Sequence, residues 1–207
     1  MPLEYDPAQR ALQDRHDTRR LADRLAEIAG DQVEPYRSFI EARECFFIST
    51  VDETGQPQCS YKGGDPGFVR VVDDSTIAFP VYDGNGMFLT VGNIAANPKV
   101  GLLFIDLEGG TRLRLNGDAS IDPDDPLREQ YPGALYVVRV RASAVFPNCR
   151  RYVHRYVLQE PSVFVPREDE APPVPDWKRE PWFDGTLAAG DPAHDPDRPS
   201  APSLPEF

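Results

Sequence analysis

The sequence predicts a mainly β protein, a small β-barrel with flanking helices, and three observations carry that expectation. Short β-branched and aromatic runs recur between residues 46 and 146, each bounded by Gly, Pro, Asp or Asn, the pattern of antiparallel strands joined by tight turns. The later runs alternate apolar with polar residues, the period of a strand with one buried face. The loop Asp83-Gly84-Asn85-Gly86 carries little side-chain bulk, so its backbone N–H groups are open to close approach.

The elements follow in order. Residues 7–29 are charged and rich in helix formers; Leu21, Leu25 and Ile28 at i, i+4 and i+7 predict one peripheral amphipathic helix, ended by Gly30. A shorter helix over 36–43 follows Pro35, and its face of Tyr36, Phe39 and Ile40 is suited to plug the barrel. Residues 46–51 and 58–62 form a hairpin around a turn containing Gly55. Gly63-Gly64-Asp65-Pro66-Gly67 turns into a strand over 68–72, and Asp73-Asp74-Ser75 turns into the next, over 76–81. Met87, Thr90, Val91 and Ile94 are spaced for a short helix that closes at Asn97-Pro98. Residues 100–105 read as a buried strand, and 112–117 alternate so that Arg112, Arg114 and Asn116 share one face. A strand over 134–146 closes the barrel, with Val138, Val140, Ala142 and Ala144 opposite Arg139, Arg141 and Ser143.

Beyond about Val165 the composition turns to Pro, Asp and Glu without period. The expected organisation is a helical N-terminus (1–35), a barrel domain (36–165) and an extended acidic tail (166–207), whose Trp177, Trp182 and Phe183 dock on a neighbouring surface. Twenty-two Lys and Arg against 34 Asp and Glu give a formal charge of -12, which disfavours nucleic acid and anionic membrane as partners. No apolar run reaches the ~20 residues of a bilayer span, and the first residues lack a signal-peptide pattern, so a cytoplasmic location is expected. Cys45, Cys59 and Cys149 have no CxxC spacing and read as buried, reduced thiols. His16, His154 and His194 lack metal-ligand spacing, so no metal site is expected.

Five pieces, in this order, resemble the pyridoxamine 5'-phosphate oxidase-like family of flavin-binding split barrels. They are residues 47–52 with Gly55-Gln56-Pro57; residues 60–69; Gly84-Asn85; Asn93-Ile94 with residues 97–104; and Arg112-Leu113-Arg114-Leu115-Asn116-Gly117. The resemblance covers about residues 36 to 150. It implies a split β-barrel of the FMN-binding type and a homodimer with FMN at the subunit interface, touched by both chains. It further implies an oxidoreductase that moves a hydride between flavin and a small-molecule substrate or nicotinamide donor. Its cofactor-binding residues fall here on Ser60, Tyr61, Lys62, Asn85, Asn93, Arg112 and Arg114.

The chemistry of these residues is compatible with that implication. FMN presents a dianionic phosphate at one end and, on reduction, negative charge at N1 and the C2 carbonyl at the other, so its site needs cations or N–H donors at both. Lys62 and Ser60 lie beside glycines, Asn85 lies among small neighbours, and Arg112 and Arg114 project from one strand face. A Lys or Arg on a strand face is more often solvated or ion-paired, and Gly84-Asn85-Gly86 alone is usually a turn. Met87 and Phe88 stand where relatives usually carry phosphate-clamping basic residues, which shifts that task to Lys62, Arg112 and Arg114. The Arg-x-His substrate motif of true pyridoxamine phosphate oxidases has no counterpart in Ser203-Leu204-Pro205-Glu206-Phe207, so oxidation of vitamin B6 is not expected. Cys149 reads as an inert thiol or a pocket residue, and no catalytic acid or base is assigned. The competing readings are a non-catalytic flavin- or haem-binding protein, with His154 as a candidate axial ligand, and a deazaflavin-dependent reductase.

Overall fold

In the computed structural model, which describes residues 3–168 and 170–202, seven strands hydrogen-bond into one antiparallel sheet. They are β1 (Cys45–Val51), β2 (Pro57–Gly63), β3 (Arg70–Val71), β4 (Thr76–Tyr82), β5 (Lys99–Asp106), β6 (Thr111–Asp122) and β7 (Ala134–Asn148). Their order is β2-β1-β5-β6-β7-β4-β3. Phe46 on β1 meets Phe79 on β4 edge-on, with ring centroids 4.9 Å apart. Along the sheet the two strands are separated by four ladder steps of ~4.8 Å each, about 19 Å if flat. The sheet therefore curls into a barrel, with the rings of Phe46, Phe68, Phe79 and Phe104 packed in its interior.

Alternation sets which side chains enter. Phe46, Ile48 and Thr50 on β1, Leu102 and Phe104 on β5, Leu113 and Leu115 on β6, and Val138 and Val140 on β7 are buried. Each large apolar side chain so buried contributes ~1.5–3 kcal/mol. Strand β6 runs past the expected end at Gly117 because a bulge between Asn116 and Gly117 restores its pairing with β7. The backbones there are so close that a Cβ on Gly117 would lie 2.3 Å from the Arg141 carbonyl oxygen. The strand expected over 68–72 shrinks to β3, because Phe68 N donates to Asp65 O at 3.0 Å in a turn that drives Phe68 and Val69 into the core.

The single helix expected over 7–29 is instead two, α1 (Pro7–Arg15) and α2 (Arg19–Glu27). Asp17 adopts a left-handed conformation (φ 51°), which Asp tolerates better than most residues, and the chain breaks there. Arg10 pairs with Asp23 at 2.6 Å and the Tyr5 hydroxyl donates to Ala22 O at 3.0 Å, tying the two helices together. The expected stripe of Leu21, Leu25 and Ile28 lies exposed, while Ala26 and Ala29 are buried. Helix α3 (Arg37–Glu41) carries the fully buried Ile40 to the core, with Tyr36 and Phe39 packed beside it, as the plug reading required. Helix α4 (Leu89–Ala96) interrupts the strand series between β4 and β5. Among the described residues no helix is long and apolar enough to cross a membrane.

Two compact units make up the chain, Met1–Gln159 and Glu160–Phe207. The second has short elements where the sequence suggested an extended tail. Its β8 (Val174–Pro175) pairs in parallel with β9 (Ser200–Ala201). Trp177 and Phe183 pack edge to face at 4.9 Å, whereas Trp182 is 84% exposed. The buried Lys178 bonds the partly buried Asp191 at 2.8 Å, and Arg179 donates to the carbonyls of Asp195 and Arg198, so these cations hold the unit together. The segment Ser203-Leu204-Pro205-Glu206-Phe207 lies outside the described residues.

Candidate functional site

The register of β1 and β2 places Lys62 opposite Phe46, Ser60 opposite Ile48 and Gln58 opposite Thr50, so these polar residues share the inner face of the sheet. Strand β2 ends the sheet, and beyond it the inner face opens. The opening is a cleft of about 270 Å³. Ser60, Tyr61 and Lys62 form one wall, and the end of β4 with Tyr82 another. The loop of Gly84, Asn85 and Gly86 and the first turn of α4, with Thr90, close the remaining side.

Four of the seven expected cofactor residues therefore come together: Ser60, Tyr61, Lys62 and Asn85. Lys62 is half-buried, and burial pushes its ammonium pKa down from 10.5. Among the described residues its ammonium has no hydrogen bond or ion pair. The Asn85 carboxamide accepts from Met87 N at 3.1 Å, which shapes the loop rather than reaching across the cleft. Burial first, and then the Cys45 thiol, pushes the Tyr61 phenol up to about 12, so it remains neutral.

The other three lie elsewhere. Asn93 is buried and donates to Thr50 Oγ1 at 3.0 Å, which fastens α4 to β1. Arg112 and Arg114 share the outer face of β6, as the alternation required. Arg112 donates to the Cys149 carbonyl, and the Arg114 guanidinium lies 5.8 Å from the Phe146 ring centroid. Cross-strand register lines up Tyr61, Phe47, Leu103, Arg114 and Phe146 across five strands of that outer face. Tyr61 and Phe47 are 62 and 37% exposed there.

Residues to which the sequence reading gave no cofactor contact complete the cleft. The buried Thr90 donates to Ser60 Oγ at 3.2 Å and joins α4 to β2. Phe88 caps α4 in a left-handed conformation (φ 49°), and no side chain caps the helix. The first N–H groups of α4 consequently lack intrahelical acceptors and carry the positive end of the helix dipole into the cleft. A non-glycine left-handed residue is a local strain of the kind that gathers at binding sites. Only the helical spacing of Thr90 hinted at this wall.

Two of the three cysteines overturn the expectation of buried thiols: Cys59 and Cys149 are exposed, and Cys45 is partly buried. Sγ of Cys149 accepts from Arg151 N and Nε, which lowers the thiol pKa. Among the described residues no cluster of His, Cys, Asp or Glu is arranged to hold a metal ion.

A family model described as Pyridoxamine 5'-phosphate oxidase matches residues 33–162. No curated protein matches the chain. Solved structures that resemble it include a putative pyridoxamine 5'-phosphate oxidase from Lactobacillus delbrueckii, 24% identical, with 56% of this chain and 94% of that chain covered and a TM-score of 0.45. An F420 reductase is 22% identical, with 53 and 94% covered and a TM-score of 0.42. HutZ, the heme storage protein from Vibrio cholerae, is 19% identical, with 56 and 94% covered and a TM-score of 0.42.

Proposed function

The chain belongs to the pyridoxamine 5'-phosphate oxidase family, and from that premise we propose that it is a homodimeric FMN-binding oxidoreductase acting on a small molecule. The observation that carries this reading is Lys62, a desolvated ammonium with no ion-pair partner among the described residues, facing the uncapped start of α4. A burial cost of this kind is offset when an anionic ligand supplies the missing charge. Lys62, the Ser60 hydroxyl and the N–H groups of α4 would hold and orient the phosphate. Bound FMN supplies hydride chemistry at N5, and the protein positions and shields it.

At about 270 Å³ the cleft is smaller than the ~300–1,000 Å³ of a complete small-molecule site. It fits one end of FMN and leaves the rest to be covered. The row of exposed Tyr61 and Phe47 and half-buried Leu103 and Phe146 offers an apolar face for a second chain. That chain brings its own Arg112 and Arg114 toward the ring end, which accounts for their separation from Lys62 within one protomer.

Absorption spectroscopy and FMN titration test this reading. The purified or FMN-loaded protein is expected to show the two bands of a bound flavin. Lys62→Ala is expected to weaken FMN binding ~10- to 100-fold, the worth of a hydrogen bond to a charged group. A single intense Soret band, or failure to take up added FMN, overturns the proposal.

A further inference from the structure

Helix α2 turns its small side chains inward and its large ones outward. Ala26 and Ala29 are buried, whereas Leu21, Leu25 and Ile28 are 59, 50 and 54% exposed. An aliphatic ridge at i, i+4 and i+7 ordinarily faces the core of its own domain. We infer that this ridge docks against the same helix of a second copy, the two helices running antiparallel across a two-fold axis near Leu25. The inference rests on the homodimer proposed above and adds to it a contact remote from the cleft.

Three observations select a second copy as the occupant. The helix is electrostatically self-complementary: Arg19 and Arg20 stand at its start and Glu27 at its end. Antiparallel approach opposes the helix dipoles favourably, and with the axis near Leu25 it sets Arg24 beside Glu27 of the second copy. Arg24 and Glu27, now paired within one helix at 2.7 Å with side chains 79 and 59% exposed, are placed to exchange partners across the axis. The chain joins the end of α2 to β7 two residues beyond Ile28. Val145 N donates to Gly30 O at 2.6 Å just beyond the end of α2, and the next residue of β7, Phe146, ends the row that begins at Tyr61. Finally, three half-exposed aliphatic side chains fall well short of the ~800 Å² per partner of a standard interface. The ridge is thus an arm of a larger contact, and the formal charge of -12 opposes an anionic membrane as its target.

The test is the dimer dissociation constant of the full chain by analytical ultracentrifugation, with circular dichroism to show that each variant is folded. Leu21→Glu with Leu25→Glu is expected to weaken the dimer ~100-fold, and Arg24→Glu alone ~10-fold. Arg24→Glu combined with Glu27→Arg, which restores the pair both within one helix and across the axis, is expected to return it to near the wild-type value. Leu25→Ala, which keeps high helix propensity, replaces the Glu pair if that variant does not fold. A dimer whose constant is unchanged in the ridge variants overturns the inference and leaves the homodimer standing. A wild-type chain that stays monomeric overturns both. Sedimentation of the wild type with phosphatidylserine vesicles, lost in Leu25→Ala while the dimer constant holds, assigns the ridge to a lipid surface and also overturns it.

Discussion

Phe46 and Phe47 are neighbours on β1 and end in opposite environments. Phe46 is fully buried, with the rings of Phe68, Phe79 and Phe104 around it. Phe47 is 37% exposed and touches the ring of Tyr61 at 5.8 Å. The inner face of the sheet is closed by its own curl and holds the protomer together. The outer face is left with apolar and cationic side chains that the protomer does not need for its own stability. Lys62 marks the place where the inner face runs out, because it opposes Phe46 in register yet sits on the last strand.

The largest expected effect tests the two faces directly. Phe46→Ala should cost ~3–5 kcal/mol in urea unfolding, the range for deleting a buried aromatic. Phe47→Ala should cost less than about 1 kcal/mol in the dissociated protomer. Equal losses would break the comparison.

A smaller effect is expected at Asp125, which is 4% exposed and accepts from Arg139 Nε at 2.5 Å and Nη2 at 3.0 Å. Hydrogen bonding from Arg139 holds the Asp125 carboxyl below its ordinary 3.8. A carboxylate lowered in this way stabilises the fold above its unfolded pKa, and the contribution is lost as pH falls through the folded value. Wild-type stability should decline below about pH 4, and Asp125→Asn should flatten that decline. At neutral pH the variant should lose ~2 kcal/mol, less than the 3–5 of a fully buried pair because the Arg139 side chain is 31% exposed. Urea unfolding across pH reads both.

The smallest stability effect belongs to the cleft. Lys62→Met removes a desolvated charge that forms no ion pair among the described residues, so the apo protein should be unchanged or up to ~1 kcal/mol more stable. The sign follows from the lowered pKa. Between the folded value and 10.5 the unfolded chain binds more protons, so wild-type stability rises with pH there, and Lys62→Met should abolish that rise. A variant that loses stability would mean that Lys62 serves the fold and not a ligand.

Much of the barrel was legible because strand alternation reports directly on burial. Val138, Val140, Ala142 and Ala144 enter the core on one side of β7, and Leu113 and Leu115 do so on β6. The helical spacing ending at Ile94 likewise marked α4. The break at Asp17 was not legible, since a left-handed residue inside a run of helix formers leaves no periodic trace. Nor was the orientation of α2: its aliphatic stripe and its alanines are each spaced for a helix face, and only packing chose which one turned inward. Thr90 could not be read as a partner of Ser60, because thirty residues separate them and only the fold of α4 over β2 brings them within 3.2 Å.

The sequence by itself determined the order of the seven barrel strands, the polarity of their faces, and a loop too small to obstruct a ligand. These are local properties, set by periods of two and 3.6 residues and by turn chemistry. Only the tertiary structure decided that Ser60, Lys62 and Asn85 border one cleft while Arg112 and Arg114 face away, and that α2 presents its leucines to solvent. Those outcomes depend on the curl of the whole sheet and on which strand lies at its edge, and no short stretch of chain encodes either.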